Sequence, residues 1–210
     1  MIRLCIADDH PIVRAGLSEI VADEGDMRVV GEAASGDELF VRLGQAPADV
    51  VLLDVSMPGP GLVPVLDRLR ELHPTVRVLV LSVHPEEQYA TRALRAGARG
   101  YLTKDHSPAE LVAAVRKVYA GGRYVSATLA ERLAEELSAG ASGLPHERLS
   151  DREFEVLCLL GSGRSVTQVA QILALSVKTV STYRSRVLEK LPASSNVDLV
   201  RYVQAHGLMR

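Results

Sequence analysis

The chain has 210 residues, of which 47% are apolar, and carries a formal net charge of -2 at pH 7. This length suits two domains, and the apolar fraction is enough to bury a core in each. No run of about 18 apolar residues could span a bilayer, so we expect a soluble, cytoplasmic protein with no membrane partner. The two cysteines, Cys5 and Cys158, lie far apart and predict small buried side chains rather than a disulfide or zinc site.

Charge is distributed unevenly along the chain. Residues 1–120 carry 13 basic and 17 acidic side chains, residues 121–148 carry 3 and 4, and residues 149–210 carry 8 and 5. The C-terminal segment is therefore the basic one, as contact with nucleic acid requires. Ordinary solvated surfaces also reach a charge of +3, so this balance alone does not decide the function.

Strand-like and helical patterns alternate over residues 1–120. We expect strands at 2–7, 28–33, 49–54, 77–82 and 100–103, and helices at 11–22, 36–45, 64–72, 87–96 and 107–120. Five βα units of this size predict a doubly wound parallel α/β sheet with right-handed crossovers. Pro11 and Pro108 suit first helical turns, the latter after the cap residue Ser107.

The alternation stops at Gly121-Gly122. We expect residues 121–148 to form a linker that contains a short amphipathic helix over Ser126–Leu137. The small residues of Ser138–Pro145 favour a flexible segment after that helix.

From Leu149 onward the pattern is entirely helical. Four serines are expected to cap four successive helices: Ser150, Ser165, Ser176 and Ser195. Residues 149–210 are therefore predicted to be a small all-α domain of four helices.

Four apolar runs in the first domain end on reactive polar groups. These groups are Asp8 and Asp9, Asp54, Ser82, and Lys104. In an open parallel sheet the carboxyl ends of the strands meet at one crevice, so we expect the groups to converge there. Taken singly, each has an ordinary explanation, such as a turn, a cap or a solvated charge. Taken together at four strand ends of one sheet, they indicate a site.

Three carboxylates in one crevice repel one another unless a cation neutralises them. Mg²⁺ suits this role because it prefers hard oxygen ligands and is typically held by one or two carboxylates plus phosphate oxygens. Asp54 can then act as a nucleophile toward an activated phosphoryl group. Lys104 and the Ser82 hydroxyl would share the charge on the phosphoryl oxygens.

These motifs resemble the receiver domain of two-component response regulators. They are Asp8-Asp9-His10, Asp54-Val-Ser-Met-Pro58, Leu81-Ser82-Val-His84 and Gly100-Tyr-Leu-Thr-Lys104. The resemblance implies the flavodoxin-like strand order 2-1-3-4-5, Asp54 as the acceptor of phosphate from a sensor histidine kinase, and Mg²⁺ at Asp8, Asp9 and Asp54. It also implies a backbone carbonyl of Ser56 as a metal ligand, and Ser82 and Tyr101 as a switch pair.

One departure from the receiver pattern follows Asp54. The family usually has a glycine eight residues after the phosphoacceptor, whereas Gly61 stands seven residues after it. The loop at residues 58–62 is therefore expected to be one residue short, and the third helix to start late, near Pro64. For His10 we expect only a position at the start of a helix.

Residues 149–210 resemble the LuxR-type helix-turn-helix domain. The matching motifs include Leu149-Ser-Asp-Arg-Glu153, Lys178-Thr179-Val180 and Lys190-Leu191. The helix over Val177–Lys190 would enter the major groove of promoter DNA. We expect one face of this helix to bury Val177, Val180, Val187 and Leu191. Pro192 replaces a glycine common in the family.

The opposite face of this helix carries the predicted DNA contacts. Lys178, Thr179, Tyr183, Arg184 and Arg186 are expected to bind phosphates, and Ser181, Thr182 and Ser185 to meet base edges. Short hydroxyl side chains discriminate weakly among bases, so paired half-sites and DNA shape would add specificity.

The chain is accordingly expected to be a response regulator of the NarL/FixJ class and not an enzyme. Phosphorylation at Asp54 is expected to control promoter binding, with the phosphorylated chain binding as a homodimer. Two alternatives remain open. An aspartate-nucleophile phosphatase generally needs a second aspartate two residues after the nucleophile, where this chain has Ser56. A pseudo-receiver would keep an intact but unused site, for which the short loop is the only support.

Overall fold

The fold is that of a computed structural model, which describes residues 1–58, 61–83, 86–138 and 144–208. The chain forms two compact units, Met1–Glu135 and Glu136–Arg210. The first is a parallel α/β sheet and the second is helical throughout.

The sheet of the first unit has five parallel strands in the order β2-β1-β3-β4-β5, as predicted. The strands are β1 Ile2–Ala7, β2 Met27–Ala33, β3 Val50–Asp54, β4 Arg77–Ser82 and β5 Gly100–Thr103. All five residues of β3, the middle strand, are buried. Unbroken apolar runs are typical of strands that are covered on both faces.

Five helices alternate with these strands. They are α1 Pro11–Ala22, α2 Gly36–Gln45, α3 Leu62–Leu72, α4 Glu86–Arg95 and α5 Pro108–Tyr119. Ser107 caps α5 in a full capping box with Glu110, as the sequence predicts. Helices α1 and α5 contribute Val21, Leu111 and Val115 to a core that includes Leu4 and Leu52.

The predicted late start of α3 is wrong. The helix begins at Leu62, and the Val65 N–H donates to the Gly61 carbonyl at 3.2 Å. Pro64 stands in the first turn, where an N–H has no intrahelical acceptor, so the missing donor costs nothing. Residues 59 and 60 of the preceding loop, on which the short-loop prediction rests, lie outside the described residues.

The segment after α5 adds to the sheet edge. The Tyr124 N–H donates to the Arg99 carbonyl at 2.9 Å, and the Tyr101 N–H donates to the Tyr124 carbonyl at 3.1 Å. Gly100 lies against this segment, and a Cβ there would lie 2.8 Å from the Tyr124 carbonyl oxygen. Only glycine permits this approach, so part of the predicted linker packs on the first unit.

Helix α6, Ala127–Ser138, follows this segment and buries Leu129. Residues 139–143, in the predicted flexible stretch, lie outside the described residues. The domain boundaries at 120 and 148 therefore stay a prediction.

The second unit contains the four predicted helices. They are α7 Asp151–Gly161, α8 Val166–Ile172, α9 Val177–Lys190 and α10 Asn196–Ala205, preceded by a 3-10 turn at Pro145–Arg148. All four predicted serine caps accept a hydrogen bond from a backbone N–H of the first helical turn. Cys5 is buried as expected, but Cys158 on α7 is only half-buried.

Val180, Val187 and Leu191 are buried, which confirms most of the predicted inner face of α9. Val177 is an exception, because 49% of it is exposed. It is the first residue of α9, where the helix has only begun to pack. Lys190 reaches from the other end of α9 to the buried Glu153 of α7, with Nζ 2.6 Å from Oε2.

Helices α7 and α10 cross closely at Gly161. A Cβ built there would lie 2.4 Å from Val203 Cγ2. We therefore predict that Gly161→Ala lowers the free energy of unfolding by about 1–3 kcal/mol, as overpacking typically does. Urea unfolding of the full chain measures the change.

Gly44→Ala is the matched control, because a Cβ there meets no atom within 4 Å. Alanine in place of this helical glycine should be neutral or stabilising by up to about 1 kcal/mol. Equal effects of the two substitutions would contradict the close-packing account.

Candidate phosphoacceptor site and DNA-binding helix

Backbone pairing places the key carboxylates and Lys104 at one end of the sheet. Asp54 is the last residue of β3, and its register partner on β4 is Leu81. Asp8 directly follows β1, and its N–H donates to the Ala33 carbonyl at 3.0 Å. The Lys104 N–H donates to the Ser82 carbonyl at 2.7 Å. The predicted convergence of strand ends is therefore present.

Lys104 lies between two buried aspartates. Its Nζ is 2.5 Å from Asp8 Oδ2 and 3.0 Å from Asp54 Oδ1. Asp8 and Asp54 are only 1% and 3% exposed, so water screens these charges weakly. One ammonium group thus neutralises part of a buried pair of carboxylates.

Burial dominates the electrostatics of Asp54. It raises the pKa of this carboxyl group, although the positive charge of Lys104 opposes the shift. Burial by itself would lower the pKa of the Lys104 ammonium group. The hydrogen bond to Asp8 and the negative charge of Asp54 outweigh this effect, so the pKa of Lys104 is raised. Lys104 therefore stays charged, while Asp54 remains short of positive partners.

The acidic end of the sheet fits a divalent cation. Ligand atoms of Asp8, Asp9, His10 and Asp54 all lie within 4.8 Å of one another. Neither oxygen of Asp54 is exposed to solvent, and neither makes a hydrogen bond of standard geometry to any described residue. Buried carboxylate oxygens of this kind match the hard oxygen ligands that Mg²⁺ prefers. Ser56 lies half-buried in the turn after β3.

Two residues near the site were not predicted to contribute to it. His10 precedes the first turn of α1 as expected, but its Nδ1 also lies 2.7 Å from Asp9 Oδ1. Arg14, one turn later, donates from its guanidinium to the Asp8 carbonyl at 2.6 Å. The sequence signal for Arg14 was its position as a basic residue one helical turn after the acidic pair.

The predicted switch residues are both buried. Ser82 ends β4 on the strand next to Asp54, and Tyr101 lies in β5 with 2% of its surface exposed. Ser82 and Tyr101 thus lie on neighbouring strands, β4 and β5, and their roles as a switch pair stay a prediction.

Helix α9 presents the predicted DNA-binding residues in two groups. Five are exposed: Lys178, Ser181, Thr182, Ser185 and Arg186. Thr179, Tyr183 and Arg184 are half-buried.

Two of the half-buried residues have partners within the unit. Arg184 Nε donates to Asn196 Oδ1 at 2.6 Å, which ties α9 to α10. Thr179 Oγ1 lies 2.7 Å from the Ser176 hydroxyl in the cap of α9. Arg184 and Thr179 therefore position the helix, whatever part they take in the predicted DNA contacts.

The three short hydroxyl residues bond to their own helix. Ser181, Thr182 and Ser185 each donate to the carbonyl four residues earlier, at 2.8, 3.1 and 3.1 Å. Each oxygen keeps lone pairs for accepting a hydrogen bond. In this conformation they suit base edges that donate, such as the amino groups of adenine and cytosine.

Comparison with known proteins identifies the two units. A family model for the response regulator receiver domain matches residues 4–116, more than half of the chain. A model for bacterial regulatory proteins of the luxR family matches residues 147–203. Response regulator GacA of Pseudomonas viridiflava is 40% identical over 210 residues, covering 100% of this chain and 98% of that protein.

The chain is a response regulator of the NarL/FixJ class.

Solved structures of another response regulator share its fold. RcsB from Salmonella enterica serovar Typhimurium, bound to promoter rprA in the presence of phosphomimetic BeF3-, superimposes with a TM-score of 0.60 at 29% identity. That match covers 98% of this chain and 100% of RcsB. Two RcsB dimers bound to two parallel DNAs give a TM-score of 0.59 at 27% identity, covering 97% and 98%.

The response regulator thus combines a receiver domain with a LuxR-type DNA-binding domain, as the sequence predicts. Its relatives are transcription regulators and not enzymes, which confirms that expectation and disfavours the phosphatase alternative. No helix in the described ranges is both long enough and apolar enough to cross a bilayer.

The raised pKa of Asp54 predicts a pH-dependent effect on stability. Folding favours the neutral carboxyl group, so its contribution to stability is complete below the ordinary pKa of about 4 and is lost as the pH rises through the raised value. Asparagine at position 54 does not ionise, so the Asp54→Asn variant does not lose stability in this way as the pH rises. Without Mg²⁺ the variant should melt at a higher temperature than the parent chain at pH 7, and the difference should vanish below about pH 4.

Thermal melts across this pH range provide the test. Asp67→Asn, at a partly exposed aspartate 2.7 Å from Arg70, is the control and should lack the gain at pH 7. An Asp54→Asn variant no more stable than the parent at pH 7 would show that Lys104 already offsets the cost of burial.

Proposed function

We propose that this response regulator is a cytoplasmic, phosphorylation-dependent transcription regulator in which Asp54 accepts a phosphoryl group from a sensor histidine kinase. The observation that carries the proposal is the buried carboxylate of Asp54, whose Oδ1 lies 3.0 Å from Lys104 Nζ and whose two oxygens are shielded from water. A carboxylate in this position can attack phosphorus, while the ammonium group of Lys104 stands beside it.

The transfer itself follows from the positions of these groups. An Asp54 oxygen would form a bond to phosphorus as the bond from phosphorus to the imidazole nitrogen breaks, and the histidine would leave with the bonding electrons. The product is an acyl phosphate on Asp54. Lys104 would stabilise the negative charge on the phosphoryl oxygens.

Mg²⁺ is the proposed cofactor, held by Asp8, Asp9, Asp54 and the backbone carbonyl of Ser56. Bound there, it would offset the charge of the carboxylates and of the phosphoryl oxygens. Asp8 would then share its charge between the ion and Lys104, so the present contact of 2.5 Å is expected to loosen.

Phosphorylation adds roughly two negative charges at the end of β3. The buried hydroxyl of Ser82, on the neighbouring strand, is proposed to move toward the new oxygens, with Tyr101 of β5 filling the space behind it. A two-state receiver biased in this way would release the DNA-binding domain or pair it with a second copy.

The proposed DNA contacts lie on the outer face of α9. Lys178, Arg184 and Arg186 would contact phosphates together with Thr179 and Tyr183, while Ser181, Thr182 and Ser185 meet base edges. The DNA-bound structures of RcsB, which include dimers, support a promoter complex formed by a phosphorylated homodimer.

Asp54→Ala is predicted to abolish labelling by acetyl phosphate in the presence of Mg²⁺, because the attacking carboxylate is absent. Intact-protein mass spectrometry measures the phosphoryl adduct. Asp67→Ala should label like the parent chain. A parent chain that resists labelling would favour the pseudo-receiver alternative, and a full transcriptional response by Asp54→Ala in cells would exclude phosphorylation as the switch.

Two substitutions on α9 should affect DNA binding differently. Lys178→Gln should weaken binding to all duplexes alike and reduce the slope of log affinity against log salt by about 1, since it removes one phosphate contact. Thr182→Ala should change discrimination at one base pair by about 1 kcal/mol, the low end for a base contact.

Fluorescence anisotropy with a duplex enriched by this protein from a random library measures both effects. Arg28→Gln, an equal charge change on β2 of the first unit, is the control and should leave both quantities unchanged. If Lys178→Gln weakened binding to only some base sequences and left the salt dependence unchanged, Lys178 would be a base contact and not the phosphate contact proposed here.

A further inference from the structure

A basic cavity lies at the end of the sheet opposite the acidic site. Its volume is about 240 Å³, and it lies among α3, the first residues of β4, the turn before β5 and the segment after α5. Four arginines line it: Arg70, Arg77, Arg99 and Arg123. None of the described residues along its wall is acidic. The proposed phosphotransfer and DNA binding use none of these arginines.

Two of the four arginines are already engaged. Arg70 pairs with Asp67 at 2.7 Å. Arg77 donates to the Tyr119 carbonyl at 2.5 Å. The guanidinium groups of Arg99 and Arg123, both exposed, form no hydrogen bond or ion pair with any described residue. Only Arg70 therefore has a counter-charge in the described chain, and Arg99 and Arg123 have no hydrogen-bond partner for their guanidinium groups either.

The backbone fixes the positions of these two arginines. Tyr124, next to Arg123, donates its N–H to the Arg99 carbonyl at 2.9 Å. The Arg99 N–H in turn donates to the Val78 carbonyl at 2.7 Å. Arg99 and Arg123 thus stand on paired backbone segments at the sheet edge, so their side chains begin from rigid positions.

The cavity's size and lining indicate which kind of ligand it fits. Leu66, Leu69 and Val78 are buried along its apolar wall, and the arginines provide the polar groups. Pockets for drug-sized ligands are usually about 300–1,000 Å³, so this volume suits a smaller group. Guanidinium groups bind phosphate oxygens through paired N–H donors, whereas a single lysine cannot present that planar fork.

We propose that this cavity binds a diphosphate group, with Arg99 and Arg123 as its principal ligands. The group can come from free pyrophosphate or from the phosphate chain of a nucleotide. Two adjacent phosphoryl units offer oxygens to both guanidinium groups at once, which a single phosphate does less well.

Isothermal titration calorimetry of the full chain with inorganic pyrophosphate, in Mg²⁺-free buffer, tests the proposal. Arg99→Gln combined with Arg123→Gln should weaken binding at least about tenfold, equivalent to about 1.4 kcal/mol. The double variant Arg99→Lys with Arg123→Lys keeps both positive charges but loses the planar guanidinium donors. Its affinity for pyrophosphate should lie between those of the parent chain and the double glutamine variant. Arg28→Gln, which removes an exposed arginine elsewhere on the sheet, should leave the affinity unchanged, as should Lys178→Gln on α9.

Parallel titrations separate the possible sources of the ligand. Tighter binding of ATP than of pyrophosphate would support the proposal with a nucleotide as the source, and the reverse order would support it with free pyrophosphate. Three results would overturn it: no saturable binding of either probe, inorganic phosphate binding as tightly as pyrophosphate, or equal losses from the two control substitutions. A melting curve for each variant establishes that it is folded.

Discussion

The proposed switch depends on the ion pairs that the ammonium group of Lys104 makes with both Asp8 and Asp54. This group lies within 3.0 Å of carboxylate oxygens on both Asp8 and Asp54, which the surrounding strands keep out of water. One positive charge cannot balance two buried carboxylates, so the sheet end retains an excess of negative charge. Such a site favours entry of a divalent cation, and the proposed phosphoryl group on Asp54 would change the local charge again. The proposed phosphorylation would therefore act on a site whose negative charges exceed its positive ones.

Most of this arrangement could be predicted from chain order alone. Parallel strands bring their carboxyl ends to one edge, so polar residues that end successive apolar runs must lie near one another. The same reasoning could not show that Lys104 bridges Asp8 and Asp54, because side-chain reach depends on the exact register of β1, β3 and β5. It also missed Arg14, because its guanidinium binds a backbone carbonyl and a basic residue one turn after the acidic pair is only a weak signal for such a contact.

Two local errors have clear physical causes. Pro64 was expected to delay α3, but proline is disfavoured only where its missing N–H would have bonded, and the first turn has no such demand. Val177 was placed on the buried face of α9 by periodicity, although a helix end packs less fully than its middle. The serine caps of the second unit were predicted correctly because a cap depends on only four adjacent residues.

We propose that charge at Asp54 controls DNA binding through α9. The most direct measurement is the affinity of the full chain for its enriched duplex, by anisotropy, with and without acetyl phosphate and Mg²⁺ at constant ionic strength. We expect tighter binding after phosphorylation and no such gain when either reagent is omitted. Equal affinity in a sample shown to be fully phosphorylated would contradict this proposal.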